Sequence, residues 1–452
     1  MSGTFAEGGG YIDVAEALRS GDAAAGPAAY GNGGAGPAGT RLLTRPLQAL
    51  IDRAAERGGG TLVFGPGTWR TGALVLRDDV GIRLERGARI LAGEDPSDFP
   101  VRAQRWEGRT VPVHAPLIGA EGARRVSITG PGILDGSGAR WWEAFRSGTL
   151  DFPRPRLIAF QDCRDVLLEG FTALNSPSWT INPVRCERVE IRGLRIENPP
   201  DSPNTDGIDP DSCRDVRISG CSISAGDDCI AVKSGVEDEE SRLRPASELI
   251  VVTGCVFEAG HGGVVLGSEM SGGIRDVVVS ACAFRGTDRG IRVKTRRGRG
   301  GEVEGAVFSD LSMKGVHVPV AVNCYYGCGA WGNPVVSDKE GRPADAGTPR
   351  VGSLLFSAVQ ARGARYCAAF LYGLPESPLR DLSFSDCDFE LDPEWTEPGQ
   401  AEMGDGLPDL AGAGFFARNT RELSLRSVRV RGQRGPEFDL GDPDPTGAGP
   451  AG

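Results

Sequence analysis

The feature that most constrains this chain is a repeat. An alternating apolar strand, a small residue and a second short strand recur almost from one end of the sequence to the other. Asp215-Val216-Arg217-Ile218-Ser219-Gly220-Cys221 is one copy, and Asp276-Val277-Val278-Val279-Ser280-Ala281-Cys282 is another. Weaker copies begin near Val126, Val166, Val189, Ile250, Ala306, Leu354, Leu382 and Leu423, at spacings from 23 residues (Val166 to Val189) to 48 (Ala306 to Leu354). A period in that range marks stacked units, each too small to bury its own apolar face. The unit holds strands and turns but no helical pattern. The expected fold is therefore all-β: a right-handed parallel β-helix in which every coil pairs its strands with the next. A sandwich of short strands would not repeat the same turn residues in register.

This β-helix domain is expected over 44–438. Residues 1–43 precede it and include a Gly/Ala/Pro-rich stretch from Gly21 to Thr40 that reads as flexible. Residues 439–452 read as a disordered tail. Leu47, Leu50, Ile51 and Ala54, at helical spacing, predict one short amphipathic helix between Thr44 and Arg57 that ends at Gly58 and caps the solenoid.

The net charge of −11 and pI of about 5.1 argue against a nucleic-acid binder. Any anionic substrate must then be held by locally concentrated cations. No apolar run of about 18 residues is present, so no membrane span is expected. The first residues lack a basic region followed by an apolar core, which predicts a cytoplasmic protein, with secretion by an unrecognised route as the alternative. The eleven cysteines lack metal-ligand spacing. Cys221, Cys255, Cys282 and Cys387 fill one repeated strand-end position and read as small buried packing residues in a reducing compartment. Nothing in the sequence bears on oligomeric state.

Chemistry-bearing residues gather on consecutive coils: Asn204-Thr205-Asp206, Gly226-Asp227-Asp228, Gly260-His261-Gly262 and Arg292-Val293-Lys294. Aligning Cys221, Cys255 and Cys282 without gaps places Asp227 on His261. Placing Ile208 on Ile230 puts Asp206 on Asp228. Coils lie about 4.8 Å apart, so Asp206 and Asp228 are expected as vertical neighbours with Asp227 beside them. Like charges that close raise at least one pKa. One protonated carboxyl and one or two ionised ones are what acid–base cleavage of a glycosidic bond requires. His261 is placed to hold the proton state of Asp227. Arg292 and Lys294 fall opposite the apolar Ile291 and Val293, are expected to face solvent, and suit a sugar carboxylate. Each motif alone is an ordinary turn, and the run from Lys294 to Arg299 alone is an ordinary solvated basic loop. Their common lateral position on successive coils is what points to chemistry.

These four motifs resemble the signature motifs of the polygalacturonases, glycoside hydrolase family 28. Gly132-Ile133-Leu134-Asp135-Gly136-Ser137-Gly138 with Trp141-Trp142, and Asn175-Ser176-Pro177-Ser178-Trp179, add to the resemblance, which runs from about Leu47 to Tyr326. It implies a single-stranded pectin-lyase-like solenoid and inverting hydrolysis of α-1,4-galacturonosidic bonds in pectic poly- or oligogalacturonate, without metal or other cofactor. It implies Asp227 as general acid, Asp206 and Asp228 as the pair that activates water, and His261 as support for the acid. Arg292 and Lys294 would bind the galacturonate carboxylate, with Asn204 contributing to substrate binding. Three departures stand out. The family's N-terminal Gly-Ala-Lys-Gly-Asp-Gly segment is absent, no secretion signal is seen, and the tyrosine that follows Arg-x-Lys in many endo-acting members has no aligned match, although Tyr325 and Tyr326 lie nearby. The stretch from Gly262 to Gly273 is similar to bacterial exo-acting members, so cleavage from a chain end is expected. The insertions at 236–247 and 331–349 are then either walls of the cleft or plain surface loops. Other readings are a rhamnogalacturonan or xylogalacturonan hydrolase of the same family, a calcium-dependent pectate-lyase-like enzyme, and a non-catalytic glycan-binding β-helix.

Overall fold

The computed structural model describes residues 10–20 and 42–441. The described residues of 1–106 and 110–226 form one compact unit, and those of 107–109 and 227–452 form a second. Each unit is built from coils of right-handed parallel β-helix. In the first, Val126, Val166, Val189 and Val216 are register partners on four successive coils. In the second, Ile250, Val277, Ala306, Leu354, Leu382 and Leu423 form the corresponding column. These are the positions at which the sequence repeat begins. All are buried except Leu423 near the chain end, which is half-buried.

One residue per coil bends the strand. Arg125, Asp165, Arg188 and Asp215 have φ of 56°, 61°, 57° and 57°, the left-handed region that few non-glycine residues adopt. The ladder skips each of them on both paired strands without a shift of register, and the next valine faces inward. The side chains of the skipped residues pair between coils, as the half-buried Arg188 does with Asp165 at 2.5 Å.

Each unit also has a further sheet of parallel strands. In the first unit it has four strands, Leu74–Val75, Ile118–Glu121, Ile158–Gln161 and Ile181–Val184. In the second it has seven, Ile230–Val232, Gly262–Gly267, Arg289–Lys294, Val318–Asn323, Cys367–Tyr372, Ala413–Arg418 and Phe438–Asp439.

Helix Thr44–Glu56 buries Leu47, Leu50, Ile51 and Ala54, the four residues whose spacing predicted it. The chain nevertheless enters the fold earlier than expected. Tyr11–Asp13 pairs in parallel with Thr61, Leu62 and Val63. Helix Val14–Arg19 follows, capped by Asp13, whose carboxylate accepts from the Glu16 amide at 2.9 Å. Three strand residues and six helical ones are too few to show a period. The Gly/Ala/Pro stretch (21–41) and the tail from 442 lie outside the described residues. The last strand, Phe438–Asp439, runs one residue past the expected domain end. A further helix, Ala139–Arg146, buries Trp141 and Trp142, and the Trp142 indole donates to the Ser176 carbonyl at 3.0 Å. None of the eleven cysteines forms a disulfide. Cys221, Cys255, Cys282 and Cys387 are buried, and Cys328 is exposed. No helix among the described residues is long and apolar enough to cross a membrane.

Candidate active site

In the first unit the Asn204-Thr205-Asp206 turn is fastened from several sides. The buried Arg154 donates to the side-chain oxygen of Asn204 at 2.6 Å, to the Pro203 carbonyl at 2.6 Å and to the Pro177 carbonyl at 2.9 Å. Asn204 itself sits at φ 51°. The Thr205 hydroxyl lies 2.6 Å from that of Ser202 and accepts from the Gly226 amide at 3.1 Å. A Cβ on Gly226 would stand 2.1 Å from the Ser202 carbonyl oxygen, so only glycine fits there. Asp206 is buried, and its carbonyl accepts from the Thr180 amide of the preceding coil at 2.8 Å.

Strand Val101–Trp106 is tied to the same coils. Arg105, wholly buried, pairs with Asp211, also wholly buried, at 3.0 Å. Arg156 donates to the Arg105 carbonyl and to Asn182, both at 2.7 Å, and to Gln104 at 2.8 Å. The Trp106 ring stacks on Trp179 at 5.2 Å and 13°. This strap was not foreseen, because its partners lie up to about a hundred residues away and its own sequence carries no motif.

In the second unit, Ile230, Val264, Ile291 and Val320 are register partners, as the gapless alignment of the first three requires. His261 therefore stands one coil beyond Asp227. Its amide donates to the Asp227 carbonyl at 2.9 Å, and its Nδ1 lies 3.4 Å from Asp227 Oδ1. That hydrogen bond raises the His261 pKa above its ordinary value, with the charges of Asp227, Asp228 and Asp288 adding to it against desolvation. The Asp227 side chain keeps 22% of its surface open and His261 keeps 47%.

Asp228 is the opposite case. It is wholly buried, and it accepts from Lys294 Nζ at 2.6 Å and from Arg292 Nη1 at 3.2 Å. Burial pushes its pKa up, but the Lys294 and Arg292 charges outweigh burial and hold the carboxyl well below the usual range. A Cβ on Gly262 would stand 2.5 Å from Val265 and 2.9 Å from Asp228 Oδ1, which explains the second glycine of Gly-His-Gly.

The two cations do not face solvent as expected. Arg292 is 1% and Lys294 5% exposed. Strand alternation puts them on the outer face, but the segment around the hairpin of Gly399–Gln400 and Asp409–Leu410 covers that face. Arg289 donates to the Ala401 carbonyl at 2.9 Å and to the Gln400 carbonyl at 3.1 Å. Arg292 forms a bidentate pair with Glu402 at 2.7 and 2.9 Å. Glu402 lies 110 residues from Arg292 in the chain, and nothing in its neighbourhood announces it. Of the two tyrosines that could not be aligned, Tyr326 joins the cations. Its ring centre is 5.0 Å from Lys294 Nζ and 5.5 Å from the Arg292 guanidinium carbon. Tyr325 turns instead to Lys339, 3.8 Å away.

The basic run is not a solvated loop either. Arg297 donates to the carbonyls of Val335, Asp338 and Glu340 and pairs with Glu376 at 2.6 Å, organising the 331–349 insertion. Arg299 pairs with Glu237 of the 236–247 insertion at 2.7 Å. Behind the site, Glu269 from the stretch after Gly262 pairs with Lys233 at 3.3 Å. Burial acts upward on Glu269, and Lys233 and other cations bring its pKa down to about 2.

The model of the glycosyl hydrolases family 28 matches residues 101–335, more than half of the chain. The chain belongs to glycosyl hydrolase family 28. A probable polygalacturonase of Vitis vinifera is 37% identical over 292 residues, 62% of this chain and 59% of that one, so the likeness leaves much of the plant protein unmatched. Among solved structures, an exopolygalacturonase of Thermotoga maritima superposes with a TM-score of 0.72 at 28% identity, over 87% of this chain and 89% of that one. A family 28 exopolygalacturonase of Yersinia enterocolitica shares the fold, with a TM-score of 0.74 at 20% identity over 89% and 74% of the two chains. In this family 28 chain the matched stretch contains every motif from Asn204 to Lys294, and Tyr326, but ends well before Glu402.

Proposed function

We propose that this family 28 chain hydrolyses α-1,4-galacturonosidic bonds of pectic poly- or oligogalacturonate with inversion, working from a chain end. The observation that carries the reading is the contrast between adjacent carboxyls. Asp227 is partly open and beside His261, while Asp228 is buried and held ionised by two cations. Asp227 gives its proton to the leaving glycosidic oxygen. The charge on His261 then stabilises the carboxylate left behind. Asp228, a weak base because its pKa is so far down, orients the attacking water. By the family resemblance Asp206 shares in activating that water, the pair of carboxylates taking up its proton as the water oxygen bonds to the anomeric carbon.

The Val101–Trp106 strap supports end-on action. Trp106 rests on Trp179, next to Thr180, whose amide holds the Asp206 carbonyl. A sugar chain lying along this sheet face would meet the strap one coil from Asp206. The exo-acting Thermotoga maritima relative points the same way. The proposal includes a reducing compartment, for which cysteines packed as buried thiols on successive coils are the support.

The test is a time course of products on a defined galacturonate oligomer, with a rhamnogalacturonan oligomer alongside. Monomer from the first time point is expected. A spread of sizes refutes end-on action, and unsaturated products lost with a chelator indicate a lyase. Asp227→Asn is expected to lower kcat by about 10²–10⁴-fold with an unchanged melting temperature.

A further inference from the structure

Arg292 stands where the family resemblance expects a cation for the substrate carboxylate, yet its guanidinium is already engaged from within the chain. Nε and Nη2 donate to both oxygens of Glu402, and Nη1 donates to Asp228. A forked guanidinium–carboxylate pair is the same recognition unit that a uronate would form. Glu402 thus occupies, with its own carboxylate, the fork a sugar acid would use. Its backbone is fixed in place. Arg289 holds the two preceding carbonyls, and the following Met403 carbonyl accepts from the Gly327 amide at 2.9 Å. Asp228 and Glu402 carry two negative charges against two positive ones on Arg292 and Lys294, and Arg289, its Nε 3.7 Å from Glu402 Oε1 and its donors held by the Ala401 and Gln400 carbonyls, adds a third. Lys294 gives one of its three N–H groups to Asp228.

We propose that Glu402 is a specificity-determining residue: it withdraws Arg292 from uronate recognition and leaves Lys294 as the one cation of this cluster that discriminates a sugar acid from its neutral ester. The inference rests on the hydrolase reading above.

The experiment compares kcat/KM for trigalacturonate and its methyl ester in the full-length protein. Glu402→Gln keeps the shape of the side chain, removes its charge and releases the Arg292 fork. The acid-to-ester ratio is expected to rise by about tenfold or more, the effect of one charge-assisted hydrogen bond. A merely structural Glu402 would lower both rates together, and an unchanged ratio in folded Glu402→Gln overturns the proposal. Lys294→Met is the independent arm, and it decides the matter if Glu402→Gln does not fold. With Arg292 already occupied, acid-over-ester preference is expected to vanish, whereas its persistence overturns the proposal. If the wild-type protein cleaves neither substrate, the hydrolase reading falls instead.

Discussion

Lys294 holds Asp228 ionised inside the protein, and removing it tests that arrangement. Asp228 is wholly buried, and its closest partner is Lys294 Nζ at 2.6 Å. In Lys294→Met the Arg292 contact at 3.2 Å remains, on a guanidinium shared with Glu402, together with the charge of Lys233. Breaking a buried pair by removing one partner costs about 3–5 kcal/mol. At about 1.4 kcal/mol per pH unit, that cost moves the ionisation of Asp228 upward by about two to four pH units. The first readout is kcat/KM against pH. The acid limb of Lys294→Met is expected to lie above that of wild type, whatever happens to the absolute rate. The second is stability. A carboxyl whose folded pKa is depressed contributes stability above its unfolded pKa of about 3.9 and loses it as pH falls through the folded value. The stability gap between wild type and variant should therefore be widest near pH 7 and narrow below about pH 4. Coincident acid limbs, or a gap that does not change with pH, would refute the assignment of Asp228 as a carboxylate held ionised by Lys294.

Other consequences are open to simple measurements. In a proton NMR titration of the three histidines, His261 is expected above its ordinary value of 6.5 and His317, which burial pushes down, below it. Asp227→Asn should bring His261 down. The stability that charged His261 contributes is present below its unfolded pKa and fades as pH rises through the higher folded value, a dependence that His261→Gln should remove. Arg105→Met leaves Asp211 buried without its partner and is expected to cost about 3–5 kcal/mol. If the variant folds, internal cleavage products should appear early in the time course. In the native protein a thiol reagent should label Cys328 quickly and the ten buried cysteines only on unfolding.

The candidate site was partly legible because a solenoid turns sequence distance into vertical position. Once Cys221, Cys255 and Cys282 were aligned, Asp227 and His261 had to occupy the same corner of adjacent coils, and Ile230, Val264 and Ile291 are indeed paired. The period-two pattern also put Arg292 and Lys294 correctly on the outer face of their strand. It did not show what covers that face. Glu402 reaches Arg292, and Arg105 reaches Asp211, across more than a hundred residues each, through segments with no repeat and no motif. The N-terminal strand Tyr11–Asp13 and the helix Ala139–Arg146 were missed for a related reason, being too short for any periodicity to develop.

The sequence by itself determined the coil, the register of Ile230, Val264 and Ile291 and the order of the carboxylate, histidine and cation motifs, because ladder pairing and inward-facing apolar residues leave a repeating chain one way to stack. Only the tertiary structure decided the electrostatics. Asp228 and Arg292 became buried partners, and Arg292 acquired Glu402, because irregular segments folded over the outer face and excluded water. Exclusion of water turns a row of exposed charges into a set of strong and specific ion pairs, and it depends on which loop lands on which strand, which periodicity does not encode.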